Sequence, residues 1–262
     1  MAAGASGEPS VVEIGGRRLE IQYFGPGPAD APTLVLLHEG LGCVALWRDF
    51  PERLRAATGC GVVAFSRFGY GGSDTVALPR PLDYMTREAV EVLPGFLDAV
   101  GFRQGVLIGH SDGATIALIH AGAVRDNRVK GLVLMAPHVF AEPEGLASIV
   151  EARAAYEHGD LRPRLARYHR DVDAAFRGWC DCWLDPGFRD WNVAAYAESW
   201  RVPALLIQGA DDQYGTLAQI REIERRAPTR VEALILQGCK HQPHLERPEA
   251  TVEAIARFLR GL

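Results

Sequence analysis

The 262-residue sequence predicts an α/β fold, a mostly parallel sheet covered on both faces by helices, with one helical insertion. Three observations carry that prediction. Short apolar runs recur along the chain and alternate with longer helical stretches, as buried strands joined by crossover helices do. Between Pro137 and about Trp200 this texture lapses into tryptophans, arginines and short helical stretches with no strand-type run. Finally, Gly109-His110-Ser111-Asp112-Gly113 joins an apolar run to a helix candidate through a turn that only small neighbours permit.

The elements follow in order. Val11–Ile14 and Leu19–Phe24 read as strands joined at Gly15-Gly16, a hairpin signal that adds antiparallel strands at one edge. After a Pro- and Gly-rich loop, Thr33–Leu37 is a continuous apolar run and predicts a buried strand. A helix is expected over Ala45–Ala57, then a strand over Val62–Ser66. Residues 67–83 read as a long loop, Glu88–Val100 as a helix and Val106–Ile108 as the strand before the serine. Ala114–Ala121 is helical and Gly131–Met135 is the next strand. Strand texture resumes at Ala204–Ile207 and Val231–Leu236, with helices at Leu217–Ala227 and Glu249–Leu259. The core is therefore assigned to 1–137 and 201–262, and a cap to 138–200, where an insertion can sit over the strand carboxyl ends as a lid.

Composition narrows the function classes. A hydrophobic content of 48% supports a sizeable core, and a net charge of −5 argues against nucleic acid or an anionic membrane as partner. Arg162, Arg164, Arg167 and Arg170 are interleaved with acids and read as a solvated helix face. Cys43, Cys60, Cys180, Cys182 and Cys239 show no zinc-ligand spacing, so reduced packing thiols in a cytoplasmic protein are expected. The first ten residues are small and polar, without the basic and apolar regions of a leader, and no run is long enough to span a bilayer. The expected partner is a small-molecule substrate, with a homodimer left open.

Ser111 is the centre of the chemistry. A G-x-S-x-G turn between strand and helix presents a hydroxyl beside the free N–H groups of the helix start. A serine hydroxyl needs a base, and the base needs a group to orient it. Asp211 and Asp212 lie just past the strand Ala204–Ile207, and His241 lies just past Val231–Leu236 with His244 close behind. Nucleophile, acid and base thus fall on one edge of the sheet, in the chain order serine, acid, histidine.

Four motifs then carry a resemblance. His38-Glu39-Gly40-Leu41-Gly42 resembles the His-Gly oxyanion loop of the α/β-hydrolase superfamily, and Phe65-Ser66-Arg67-Phe68-Gly69-Tyr70-Gly71-Gly72-Ser73 resembles its Arg-Gly-x-Gly-x-Ser loop. The serine turn is the third motif. His241-Gln242-Pro243-His244-Leu245-Glu246-Arg247-Pro248 resembles the histidine loop. The resemblance covers essentially the whole chain. It implies an α/β-hydrolase fold of about eight strands with a helical cap. It selects Asp212 through Gly-x-x-Asp counted from Gly209, leaving Asp211 as a solvated or capping carboxylate. It selects His241 through its offset to Glu246 and Pro248, leaving His244 on a rim or in solvent.

The implied machinery is Ser111, Asp212 and His241, with oxyanion donors at the backbone N–H of Asp112 and of Gly40. Glu39 replaces a glycine of the family pattern, which leaves Leu41 as an alternative second donor. Glu39 itself is read as a structural carboxylate that bonds loop backbone, the alternative being a place on the pocket wall. His38 and His110 are read as structural. The Asp112 carboxylate has two readings, a bond to a loop residue such as Arg67 or recognition of a cationic substrate group. Glu39, Leu41, Asp112, His138 and Phe140 are the pocket candidates.

The implied activity is hydrolysis of a small ester through an acyl-enzyme, with no metal or organic cofactor. Carbon–carbon bond hydrolases and cofactor-free haloperoxidases share the triad and stay as alternatives, as does a non-enzymic ligand receptor on the same fold. Serine at the turn argues against dehalogenase and epoxide-hydrolase relatives, which place a carboxylate there.

Overall fold

The computed structural model describes residues 7–262, so the reading of the chain start as leaderless lies, for residues 1–6, outside the described part. Strands β1 (Ser10–Ile14) and β2 (Arg17–Phe24) form an antiparallel hairpin whose turn takes Gly15 and Gly16 to φ of 58° and 76°. Both values need glycine, as a two-residue hairpin turn does. Strands β3 (Thr33–Leu37), β4 (Gly61–Phe65), β5 (Gly105–His110), β6 (Val129–Met135), β7 (Ala204–Gly209) and β8 (Val231–Leu236) complete an eight-stranded sheet. Its order is β1-β2-β4-β3-β5-β6-β7-β8, parallel from β4 onward. The predicted α/β-hydrolase architecture, with its antiparallel edge, is the one observed.

Strand alternation builds two cores. Val35, Leu37, Val63, Leu107, Leu132 and Leu206 face one side of the sheet, and Leu34, Leu36, Val62, Ile108, Val133 and Ile207 face the other. Helix α1 (Phe50–Thr58) covers the second face with the closing helix of the chain, through Phe50, Leu54, Ile255 and Phe258. Helices α2 (Tyr84–Arg87), α3 (Leu93–Ala99) and α4 (Asp112–Ala123) cover the first, α2 and α3 being joined by a π turn at Glu88–Val92. Each large apolar side chain withdrawn from water here contributes about 1.5–3 kcal/mol, the main driving force for closing both layers.

The helix expected over 45–57 is broken. Val44–Trp47 forms a 3-10 turn, Arg48 takes φ 52°, and α1 starts afresh at Phe50. Pro51 explains the restart, because it has no N–H to donate and fits only the first turn of a helix.

Between β6 and β7 the chain forms α5 (Pro143–His158), α6 (Leu161–Leu165) and α7 (Val172–Trp183), then 3-10 turns at Pro186–Phe188 and Ala194–Glu198. Its only strand-like pairing among the described residues is the bridge Phe140–Asn192. Aromatic stacking gives this segment its own packing, with the rings of Tyr156 and Phe176 3.7 Å apart and those of Phe188 and Trp191 4.9 Å apart. The last turn lies on the core instead, since a Cβ on Gly122 of α4 would stand 2.2 Å from Tyr196 O. The chain closes with α8 (Leu217–Arg226), α9 (Pro243–Glu246) and α10 (Pro248–Leu259). Among the described residues no helix is long and apolar enough to cross a membrane.

Candidate active site

Ser111 sits between β5 and α4 with φ 53° and ψ −120°, a region that side-chain-bearing residues rarely occupy. Holding it there costs about 1–3 kcal/mol, borne by the surrounding packing. The flanking glycines are required by contact. A Cβ on Gly109 would lie 2.3 Å from Gly113 O, and one on Gly113 would lie 2.0 Å from Leu37 O. The Ser111 N–H donates to Met135 O at 2.9 Å, which pins the turn to the end of β6.

The loops after β7 and β8 bring Asp212 and His241 together. His241 Nδ1 lies 2.8 Å from Asp212 Oδ2 and 2.9 Å from Oδ1. The carboxylate also accepts from Tyr214 N–H and from the Gln208 side chain, each at 2.8 Å. Burial alone would raise the Asp212 pKa, but the His241 charge and these bonds outweigh it and hold the group below the usual carboxylate range. An ionised Asp212 keeps the proton on Nδ1, so Nε2 is left as the basic nitrogen. Asp211 is exposed, and its N–H donates to Cys239 O at 2.9 Å, away from the imidazole.

The remaining histidines separate by contact. His38 lies 2.6 Å from Glu39 O through Nδ1 and accepts the Arg67 N–H at 3.0 Å through Nε2, so it is a neutral loop clamp. His110 Nε2 lies 2.7 Å from His241 O and holds the histidine loop. His244 corrects an expectation: it faces neither rim nor solvent. It is 3% exposed and packs against Trp47, Phe50 and His110, with ring centroids 4.9, 5.3 and 4.8 Å away. His244 is the second residue of the short helix α9, which turns the ring inward. Burial pushes the His244 pKa well below the ordinary value.

A cavity of about 430 Å³ is lined by Ser111, Asp112, His138 and His241, and by Glu39, Gly40 and Leu41. Helices α5, α6 and α7, between β6 and β7, contribute Ile149, Leu161, Leu165, Trp179 and Trp183 to its walls. His138 therefore lies where the sequence reading put it, its ring 5.6 Å from that of His241 and its pKa lowered by burial to about 3. Phe140 does not. Its backbone is clamped between Gln219 and Asn192, which directs the side chain into the packing between cap and core.

Glu39 lines the cavity, yet its carboxylate turns toward His110, Oε2 standing 3.5 Å from Nδ1. Burial would raise its pKa, but the His110 contact and the nearby histidines outweigh that and keep it low. Gly40 and Leu41 both present backbone N–H groups that find no acceptor among the described residues, and Asp112 stands at the first position of α4, so neither expected second donor is set apart from the other. Trp179, which sequence reasoning did not single out, closes over this loop. A Cβ on Gly40 would lie 2.3 Å from its indole nitrogen.

The Asp112 carboxylate is bound within the protein. Oδ2 accepts the Tyr84 hydroxyl at 2.5 Å and stands 3.7 Å from the Arg67 guanidinium, both charged side chains being 1% exposed. Tyr84 in turn accepts from the Trp183 indole at 3.0 Å, and Arg67 donates to Glu39 O at 2.8 Å. One polar chain thus ties the cap, the serine turn and the oxyanion loop together. Among the described residues no group of three His, Cys, Asp or Glu side chains could hold a metal ion.

Known proteins share this architecture. Epoxide hydrolase 3 of Xenopus tropicalis is 23% identical over 300 aligned residues, covering 99% of this chain and 80% of that protein. Epoxide hydrolase 2 of Siraitia grosvenorii is 31% identical over 131 residues, covering 50% of this chain and only 39% of that protein. Among solved structures, the enol-lactonase from Burkholderia xenovorans matches with a TM-score of 0.74 at 20% identity, covering 96% of this chain and 100% of its own. Carboxylesterase CesB from Bacillus subtilis matches with a TM-score of 0.72 at 24% identity over 98% and 92% of the two chains. A model of the alpha/beta hydrolase family matches residues 34–254. The chain belongs to the alpha/beta hydrolase family.

Proposed function

We propose that this protein is a serine hydrolase that cleaves a small ester-type substrate through an acyl-enzyme. The observation that carries the reading is the Asp212–His241 pair on the same cavity as a serine held in a strained turn at a helix start. In the proposed cycle His241 Nε2 takes the Ser111 proton as the hydroxyl attacks the carbonyl carbon. The tetrahedral oxyanion is held by N–H groups of Asp112 and of Gly40 or Leu41, each donor worth about 3–4 kcal/mol in the transition state. His241 then protonates the leaving group, and water repeats the sequence to release the acid. Asp212 stays ionised and stabilises the imidazolium.

A hydroxyl at position 111 supports acyl transfer over the epoxide opening named for several relatives. Unpartnered N–H groups beside the serine suit a carbonyl oxygen that gains charge, and the acyl-enzyme is an ester that water can cleave. A hydrolysis screen over esters, lactones, thioesters, 1,5-diketones and epoxides, with Ser111→Ala as blank, tests the reading. Ester turnover with an initial burst is expected. Epoxide turnover that survives in Ser111→Ala would contradict it.

A further inference from the structure

The cavity carries charge that acyl transfer does not use. Its carboxylates are already occupied by the protein. Glu142 accepts from the Thr216 N–H at 2.9 Å, the Thr216 hydroxyl at 2.6 Å and the Gln219 side chain at 2.6 Å. Glu39 faces His110, and Asp112 is held by Tyr84 and Arg67. The arginines on the same walls are not occupied. Arg48 and Arg167 line the cavity and make no ion pair or side-chain hydrogen bond among the described residues. Among the described residues the Arg164 side chain reaches only Asp160, at 3.7 Å, and both side chains are exposed. All three arginines are exposed, at the rim of the cavity, so the unpaired formal charge on its lining is positive in a chain whose net charge is −5.

Position also singles out Arg48. It adopts φ 52° and ψ −125°, where glycine would be cheaper, and it is the residue that breaks the expected helix. Backbone strain of this kind costs about 1–3 kcal/mol and persists only where the surroundings impose it. Arg48 precedes α1, whereas Arg164 lies in α6 and Arg167 just after it, so the cavity lining takes arginines from both the sheet side and the β6–β7 segment. The apolar wall of Ile149, Leu161 and Leu165 supplies the matching surface for a carbon chain.

We propose that Arg48 and Arg167 form an anion subsite, and that the substrate is an ester or thioester with a carboxylate or phosphate remote from its reacting carbonyl. This rests on the acyl-transfer reading of Ser111. The anion has two sources: a dicarboxylic half-ester carries it on the acyl side, and a phosphopantetheine-type thioester carries it on the leaving group.

Two matched pairs test the proposal and separate the sources. The first is 4-nitrophenyl hydrogen glutarate against its methyl-capped neutral ester. The second is butyryl-coenzyme A against butyryl-N-acetylcysteamine. Wild-type kcat/KM should favour the anionic member of at least one pair by about tenfold, and the preference should shrink as salt rises. In R48Q/R167Q the anionic-to-neutral ratio should fall toward one through KM, and R48K/R167K should restore part of it. Equal rates on both members of both pairs in the wild type, or an equal loss on both in R48Q/R167Q, would overturn the subsite alone. Hydrolysis of none of the four would overturn the acyl-transfer reading, and the subsite with it.

Discussion

The strand ends of the core and the cap that faces them are built on different terms. Ser111, Asp212 and His241 follow the ends of β5, β7 and β8 by one, three and five residues, and hydrogen bonds of 2.7–2.9 Å, two of them backbone to backbone and one from the His110 ring, fix their loops to neighbouring strands. The cap is three helices and two short turns held by aromatic stacking and by a few polar ties such as Trp183 to Tyr84. We therefore expect the sheet to set what chemistry is possible and the segment between β6 and β7 to set what reaches it. A change at a strand end should strike turnover, and a change in the cap should strike selectivity.

The largest expected effects test the first half of that contrast. Ser111→Ala or His241→Ala should lower kcat on an activated ester by roughly 10⁵–10⁶, and Asp212→Asn by roughly 10⁴, because the wrong imidazole tautomer is then favoured. The double variant Ser111→Ala/His241→Ala should be no worse than either single one. Additive losses in steady-state assays would show that these residues do not act as a unit.

The cap should answer differently. Ile149 is 3% exposed and lines the cavity, so Ile149→Ala removes bulk from the wall rather than from the sheet. A loss of about 2 kcal/mol in stability is expected, near the low end for such truncations because the site already borders a cavity. Across a series of 4-nitrophenyl esters the preferred acyl chain should lengthen. An unchanged chain-length profile would remove the cap from substrate selection.

A pH-dependent effect on stability is expected from the strand-end side, apart from catalysis. His38, His138 and His244 are held neutral, with His138 at about 3 and the other two well below the ordinary value. The unfolded chain takes up protons that the folded chain refuses, so stability is complete above about pH 6.5 and falls as pH drops. Each such group contributes up to about 1.4 kcal/mol per pH unit below that point. Denaturant unfolding at pH 7 and pH 5 should show this loss, and His138→Gln should make it shallower. Parallel losses in wild type and variant would contradict the burial of a neutral imidazole there.

The same contrast decides what was legible in the sequence. The strands were, because parallel burial leaves continuous apolar runs, and so was the convergence of Ser111, Asp212 and His241 on one sheet edge, because glycines mark the turns that present them. Gly113 is such a mark, since only a missing side chain lets α4 approach Leu37 O. What could not be read depends on how the cap docks. The chain from Trp183 through Tyr84 to Asp112 joins residues 99 and 28 positions apart, with no period to announce it. Arg164 and Arg167 read as a solvated helix face, yet they line the cavity, since exposure and facing a pocket are compatible in a rim residue. Phe140 and His244 were misplaced for the same reason. Each lies beside a strand end, and its side chain is turned away by contacts with distant residues.

The central claim is that Ser111 is the nucleophile, activated by His241 and Asp212. Intact-mass and peptide mapping after treatment with a fluorophosphonate test it directly. The account predicts one adduct, located on Ser111, that is lost in Ser111→Ala and forms far more slowly in His241→Ala. An unlabelled protein, or an adduct on any other residue, would contradict it.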